Sequence, residues 1–211
     1  MAEQLLLVDS DIFALLAAVE LLDELALALG IPVESVRRLP ALGKQLRPGK
    51  SIGRKYPELQ RQKALTKCDA TEVYSDRPAA MSLHAKLVSV DDIDEGEAVL
   101  LAALAEQQNW YLTSGDKRSL IALGQTTELS DVRDRVAGRI LALESVLLLL
   151  VKRLGAAELG KRFQLIPGAH NTIDILFRFK NTFDDDESIR QITSYLNDLV
   201  QKMGRDLLYP V

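Results

Sequence analysis

The feature that most constrains this chain is a set of short apolar runs that stop abruptly at acidic residues. Residues 5–8 (Leu-Leu-Leu-Val) end at Asp9-Ser10-Asp11, and residues 110–113 end at Ser114-Gly115-Asp116. Runs this short, with no polar alternation, suit strands buried on both faces of a parallel sheet. Residues 12–29 then read as one helix rich in Leu and Ala, stopped by Gly30 and Pro32, and another helix starts near Lys117. Residues 87–90 read as a further strand, leading through Asp91-Asp92-Ile93-Asp94-Glu95-Gly96-Glu97 into a helix over 98–107. Strand and helix in alternation predict an α/β fold with a mainly parallel sheet.

Past residue 130 the strand pattern fades. Residues 131–154 read as one or two helices, and Ile189, Ile192, Leu196, Leu199 and Met203 carry helical spacing near the end of the chain. The acids at 184–187 suit the positive N-terminal end of that last helix. The expected organisation is a body over 1–155 and a helical C-terminal extension over 156–211. The body carries an insertion over 37–67 that holds ten Lys or Arg against one acid, Glu58. Pro40, Pro48, Gly43, Gly49 and Gly53 interrupt regular structure there, so it reads as a mobile basic segment with helix after Pro57.

Composition narrows the classes. Hydrophobic residues at 47% and charged residues at 27% allow a packed core and argue against global disorder. A net charge of −4 argues against a general nucleic-acid coat protein but leaves room for an enzyme whose charges are segregated. Cys68 stands alone, so neither an internal disulfide nor a Cys-based zinc site is expected, and a cytoplasmic setting fits. Asp9, Asp11 and Glu20 interrupt the first apolar stretch, which is not expected to be a secretory leader. The apolar stretch 146–151 is far too short to span a bilayer, and no other run is long enough, so no membrane partner is expected; 146–151 reads as core or an oligomer face. His84 and His170 have no ligand spacing and read as structural, and Cys68 reads as an inert buried thiol.

The chemistry sits in the acids. Sites in open α/β sheets form beyond the carboxyl ends of the strands. Asp9, Glu97 and Asp116 all fall at such places, and neighbouring strands would bring them together. Each acid taken singly is also an ordinary helix cap. Converging carboxylates repel one another, and a hard divalent cation, Mg or Mn, removes that cost through oxygen ligands. Such an ion also offsets charge on a phosphodiester in reaction. An acidic site repels phosphate, so Arg47, Lys50, Arg54, Lys55 and Lys117 are the candidates for holding a nucleic-acid backbone, with Tyr56 available for stacking.

Three segments carry a resemblance. "LLLVDSDIF", "DEGEAVLLAALA" and "YLTSGDKRSL" resemble, in order and placement, the three acidic motifs of PIN-domain nucleases. The resemblance implies a three-layer PIN-like α/β fold with a mainly parallel central sheet. It makes Asp9, Glu97 and Asp116 the catalytic metal ligands, with Asp11 beside them, and Mg or Mn the cofactor. It implies an endoribonuclease acting on RNA, with DNA as the other nucleic acid to consider. Many members are toxins held by an antitoxin, which implies a protein partner of that kind, and a homo-oligomer through the Leu-rich helices is a further expectation. The chain departs from the pattern in its long basic insertion, in Gly115 where a second acid is common, and in lacking a clear fourth strand. Asp131 and Asp134 are both open as the fourth acid. These departures support an alternative, a non-catalytic PIN-like module that binds nucleic acid or protein.

Overall fold

Every residue of the strand β1, Leu5–Val8, is buried, because it has a hydrogen-bonded neighbour on each side and packed helices on each face. A computed structural model describes residues 4–74, 81–178, 183–204 and 207–211. After β1 come α1 (Ser10–Ala18), α2 (Leu22–Ala28), β2 (Val36–Arg38), α3 (Leu42–Gln45), α4 (Glu58–Ala70), α5 (Met81–Val88) and α6 (Glu95–Glu106). Then follow β3 (Trp110–Ser114), α7 (Lys117–Gln125), α8 (Ser130–Val136), β4 (Ile140–Ala142), α9 (Leu143–Leu154), α10 (Ala156–Phe163), α11 (Asn171–Ile173) and α12 (Asp185–Met203).

The four strands form one parallel sheet in the order β2-β1-β3-β4, with Leu6 beside Val36, Val8 beside Thr113 and Thr113 beside Leu141. The fold is therefore α/β around an all-parallel sheet. Alternate residues of β1 face opposite ways. Leu6 and Val8 enter a core with Phe13, Leu16, Val146 and Phe177. Leu7 enters a second core with Leu100, Leu104, Leu112 and Leu120. Each such buried Leu contributes about 1.5–3 kcal/mol. Residues after 156 join the same cores: Phe163 and Ile192 pack into the first, Leu199 and Met203 into the second. The backbone N–H of Tyr209 donates to the Ile140 carbonyl at 2.7 Å, so the described end of the chain ties onto β4.

The sequence reading departs from this structure in four places. Residues 12–29 are two helices, because Glu20 adopts a left-handed conformation (φ 60°). Arg162 donates to the freed Glu20 carbonyl at 2.8 Å and Lys63 pairs with the Glu20 side chain. Residues 87–90 are not a strand: Leu83 and Leu87 are the buried residues of α5, four apart, and pack with α6. The stretch 131–154 contains β4, whose three residues are too few to show a pattern. β2 is equally short and opens the basic segment.

That segment is also better ordered than its composition suggests. Leu42, Leu46, Ile52 and Tyr56 are buried and seat residues 42–56 on the first core. Gly53 lies so close to the turn before it that a Cβ would come within 2.4 Å of the Leu46 and Arg47 carbonyl oxygens. The α4 cations are engaged in pairs, Lys63 with Glu20, Lys67 with Asp23 and Arg61 with Glu58. Arg37 pairs with Glu72, and Arg38 donates to the Cys68 carbonyl at 2.7 Å. Lys44, Arg47, Lys50 and Arg54 are exposed and enter no ion pair among the described residues. Among the described residues no helix is long and apolar enough to cross a membrane.

Candidate metal centre

The chain leaves β1 toward β2 on one side and later returns to β3 on the other. The crevice at such a reversal lies at the carboxyl ends of β1 and β3, the usual place for a ligand in an open parallel sheet. Asp9 stands immediately past β1, and its N–H donates to the Thr113 carbonyl at 3.1 Å, which fixes it against β3. It occupies the N-cap position of α1, yet its side chain makes no capping bond to that helix. Gly115 completes the approach. A Cβ there would meet Ile12 Cδ1 tightly at 3.2 Å and lie in ordinary contact with Asp9 Oδ2 at 3.8 Å, so a side chain at this position would press on Ile12 beside Asp9.

Asp116 begins α7. Its Oδ1 accepts from the backbone N–H of Arg118 at 2.8 Å and Ser119 at 3.4 Å, and its Oδ2 pairs with the Arg118 guanidinium at 3.2 Å. Glu97 enters from α6 through a capping box. Asp94 Oδ1 accepts from the Glu97 N–H at 2.9 Å, and Glu97 Oε2 accepts from the Asp94 N–H at 3.1 Å. Asp11 lies in the first turn of α1, and Lys55 of the insertion donates to its Oδ1 at 3.0 Å.

Asp9, Asp11, Asp94, Glu97, Asp116 and His170 line one cavity of about 280 Å³. A neighbouring groove of about 510 Å³ shares Asp9, Asp11, Asp94 and Glu97, and its far wall is the insertion, through Leu39, Gln45, Ile52 and Lys55. The structure thus brings Asp9, Asp11, Glu97 and Asp116 together, and puts Lys55 at their edge. Arg47, Lys50 and Arg54 sit on the exposed side of the same insertion and do not line the cavity. Lys117 turns elsewhere: its ammonium lies 2.6 Å from Glu144 Oε1 and 5.9 Å above the centre of the Tyr195 ring.

Asp116 and Asp11 have cationic partners, and the electrostatic load falls on Asp9 and Glu97. Burial, followed by the Asp11 charge, raises the Asp9 carboxyl from 3.8 to about 6, although the N–H groups of Ser10 and Gly115 pull the other way. Burial raises Glu97 from 4.5 to about 7; the Asp94 N–H opposes this, and the charges of Asp116 and Asp94 add to it. Burial also pushes the His170 imidazole below its usual value.

Three residues escaped the sequence reading. Asp94 lines the cavity, and the signal for it was the Asp-x-x-Glu spacing of a capping box. His170 lines it too, with no local signal, because it arrives from the far end of the chain. Glu144 stands just past β4, as Asp9 stands past β1 and Asp116 past β3. It is fully buried behind Lys117, and Oε2 has no hydrogen-bond partner among the described residues. Asp131 and Asp134 lie on α8, and neither lines the cavity; Asp131 pairs with Lys86 at 2.6 Å.

The donors are all oxygen and all anionic, which fits Mg or Mn in chemistry. Their present arrangement is not a closed ligand set: among the described residues no three acids, histidines or cysteines stand ready around one point. Two of the acids are engaged instead by cations that reach solvent, Asp116 by Arg118 and Asp11 by Lys55. A third groove of about 430 Å³ lies between α1, α2 and α4, but its Glu20, Asp23, Lys63 and Lys67 pair with one another. Compared with known proteins, the chain has no significant match to a family model, a curated protein or a solved structure.

Proposed function

We propose that the chain is a PIN-type, divalent-metal-dependent nuclease that hydrolyses phosphodiester bonds in RNA. The observation that carries this reading is the convergence of Asp9, Glu97 and Asp116 in one cavity at the β1–β3 crevice, with Asp9 and Glu97 held as unfavourable anions. These three carboxylates, with Asp11, would hold Mg or Mn. A cation there would neutralise charge on the phosphodiester and polarise it for attack. Asp9 and Glu97 are the acceptors that orient the attacking water. Arg47, Lys50, Arg54 and Lys55 hold the strand along the groove walled by the insertion. RNA as the substrate, and a cytoplasmic setting, follow from the resemblance of the three motifs and the lone cysteine.

The test is cleavage of single-stranded RNA with Mn²⁺ or Mg²⁺ by the native protein, Asp9→Asn and Asp116→Asn. Asn is itself a good N-cap, so Asp116→Asn removes charge while keeping the start of α7. Loss of cleavage in both variants supports the reading, and equal cleavage by all three proteins sinks it.

A second reading, a non-catalytic module on the same fold, draws on one specific observation. Glu97 and Asp116 already serve as helix caps, and the ligand set is open. It requires that millimolar Mn²⁺ leave the melting temperature unchanged. A Mn²⁺-dependent rise that disappears in Asp116→Asn removes this alternative.

A further inference from the structure

The carboxylate cavity has a chemical asymmetry. Asp9, Asp11, Asp94, Glu97 and Asp116 offer only acceptor oxygens when ionised, and Ile12 and Leu15 offer nothing polar. The non-bridging oxygens of a phosphodiester are acceptors as well. A phosphate entering this cavity therefore finds repulsion on most of its walls. With those carboxylates ionised, His170 is the one side chain, among the described residues that line it, that can donate a hydrogen bond.

The local backbone fixes which nitrogen does so. His170 precedes α11, and its Nδ1 accepts the backbone N–H of Thr172 at 3.2 Å. An Nδ1 that accepts carries its lone pair, so the proton of the neutral ring is on Nε2. The ring is half-buried, and charged groups surround it from four elements: Glu144 on α9, Lys117 on α7, Asp11 on α1 and Lys55 on the insertion. The C-terminal extension thus lines the cavity with a donor that its ionised acidic walls lack.

We propose that the Nε2–H of His170 donates a hydrogen bond to a non-bridging oxygen of the phosphodiester bound in this cavity, making His170 a substrate-contacting residue supplied by the extension. The inference rests on the nuclease reading above. The bland role of His170, capping α11, uses Nδ1, and the proposed role uses Nε2, so the two are separable by substitution. In His170→Asn the amide oxygen takes the place of Nδ1 and the reach to Nε2 is lost. In His170→Gln the amide nitrogen takes the place of Nε2 and the cap is lost.

The experiment compares native protein, His170→Asn and His170→Gln in three readouts: Mn²⁺-dependent cleavage of single-stranded RNA, the Mn²⁺-induced rise in melting temperature, and the metal-free melting temperature. His170→Asn is expected to lower kcat on the order of a hundredfold, the effect of removing one donor to reacting oxygens, with the Mn²⁺-induced rise unchanged. His170→Gln is expected to keep kcat within about tenfold of native while melting a few degrees lower for want of its cap. Native-like cleavage by His170→Asn, or equal losses in both variants, overturns the proposal and leaves the nuclease reading standing. Absence of cleavage by the native protein with either metal removes the nuclease reading, and the role of His170 with it.

Discussion

Two of the cavities in this protein are walled by charged side chains, and they are built in opposite ways. In the groove between α1, α2 and α4, each acid has its own base: Glu20 pairs with Lys63 and Asp23 with Lys67, each at 2.5 Å. At the carboxyl edge of the sheet, five carboxylates share one cavity, and the cations that reach them, Arg118 and Lys55, stand at its rim. A self-neutralised groove is complete as it stands. A cavity that raises Asp9 to about 6 and Glu97 to about 7 is under electrostatic load, and a cation from outside relieves it. The contrast is between charge neutralised within the protein and charge left under load.

The contrast is broken most severely at Asp9. Asp9→Asn is expected to lower Mn²⁺-dependent RNA cleavage on the order of a hundredfold or more, because it removes a proposed ligand at the β1–β3 crevice. The same variant should melt no lower than native protein without metal, since it deletes a buried like charge. A cleavage assay and a thermal melt check the two parts.

The next effect concerns the insertion. Replacing Arg47, Lys50 and Arg54 together with Ala should weaken RNA binding about tenfold or more and flatten its salt dependence. The slope of log K against log salt should shrink by about 2, three single-strand phosphate contacts at roughly 0.7 each. Fluorescence anisotropy over a salt series measures both. An unchanged slope means that the backbone runs elsewhere.

A smaller effect is the pH dependence of the metal-free protein. Asp9 and Glu97 have folded-state values above their ordinary 3.8 and 4.5. Groups raised in this way favour the folded state most when protonated, so their contribution is complete below pH 4 and is lost as pH rises through about 6 and 7. Native protein should therefore lose melting temperature relative to Asp9→Asn between pH 5 and pH 8, by a few degrees. Millimolar Mn²⁺ should restore more at pH 8 than at pH 5. The smallest effect is expected in the paired groove, where Glu20→Gln should leave cleavage unchanged and cost about 0–1 kcal/mol of stability by denaturant melt, the ordinary worth of an exposed pair.

The parts of the fold legible in the sequence were those with enough residues to set a period or stop abruptly. β1 and β3 showed as apolar runs halted by Asp9 and by Ser114-Gly115-Asp116, and α12 showed by the spacing of Ile192, Leu199 and Met203 with Asp184 as its N-cap. β2 and β4 did not show, because three residues cannot display a pattern, and their strand state comes from pairing with β1 and β3. Residues 87–90 were misread for the related reason that a short apolar run does not distinguish a strand from the end of a helix. At the site, Asp9 and Asp116 were legible because acids after strands are conspicuous, whereas Glu97 follows the helix α5 and was placed after a strand through the misread 87–90. Their convergence depended on strand order, which no local pattern encodes. His170 and Glu144 were invisible, the first brought in by packing of the extension and the second hidden behind an unseen β4.

Mn²⁺ binding followed by electron paramagnetic resonance, as loss of the free-ion signal, bears most directly on the carboxylate cavity as a metal centre. Native protein at neutral pH should bind Mn²⁺ at the millimolar level or tighter, Mg²⁺ should compete for the same site, Asp9→Asn should lose that binding, and Glu20→Gln should keep it. Native protein that leaves the free-ion signal undiminished, or Asp9→Asn that binds as well as native, would contradict the assignment.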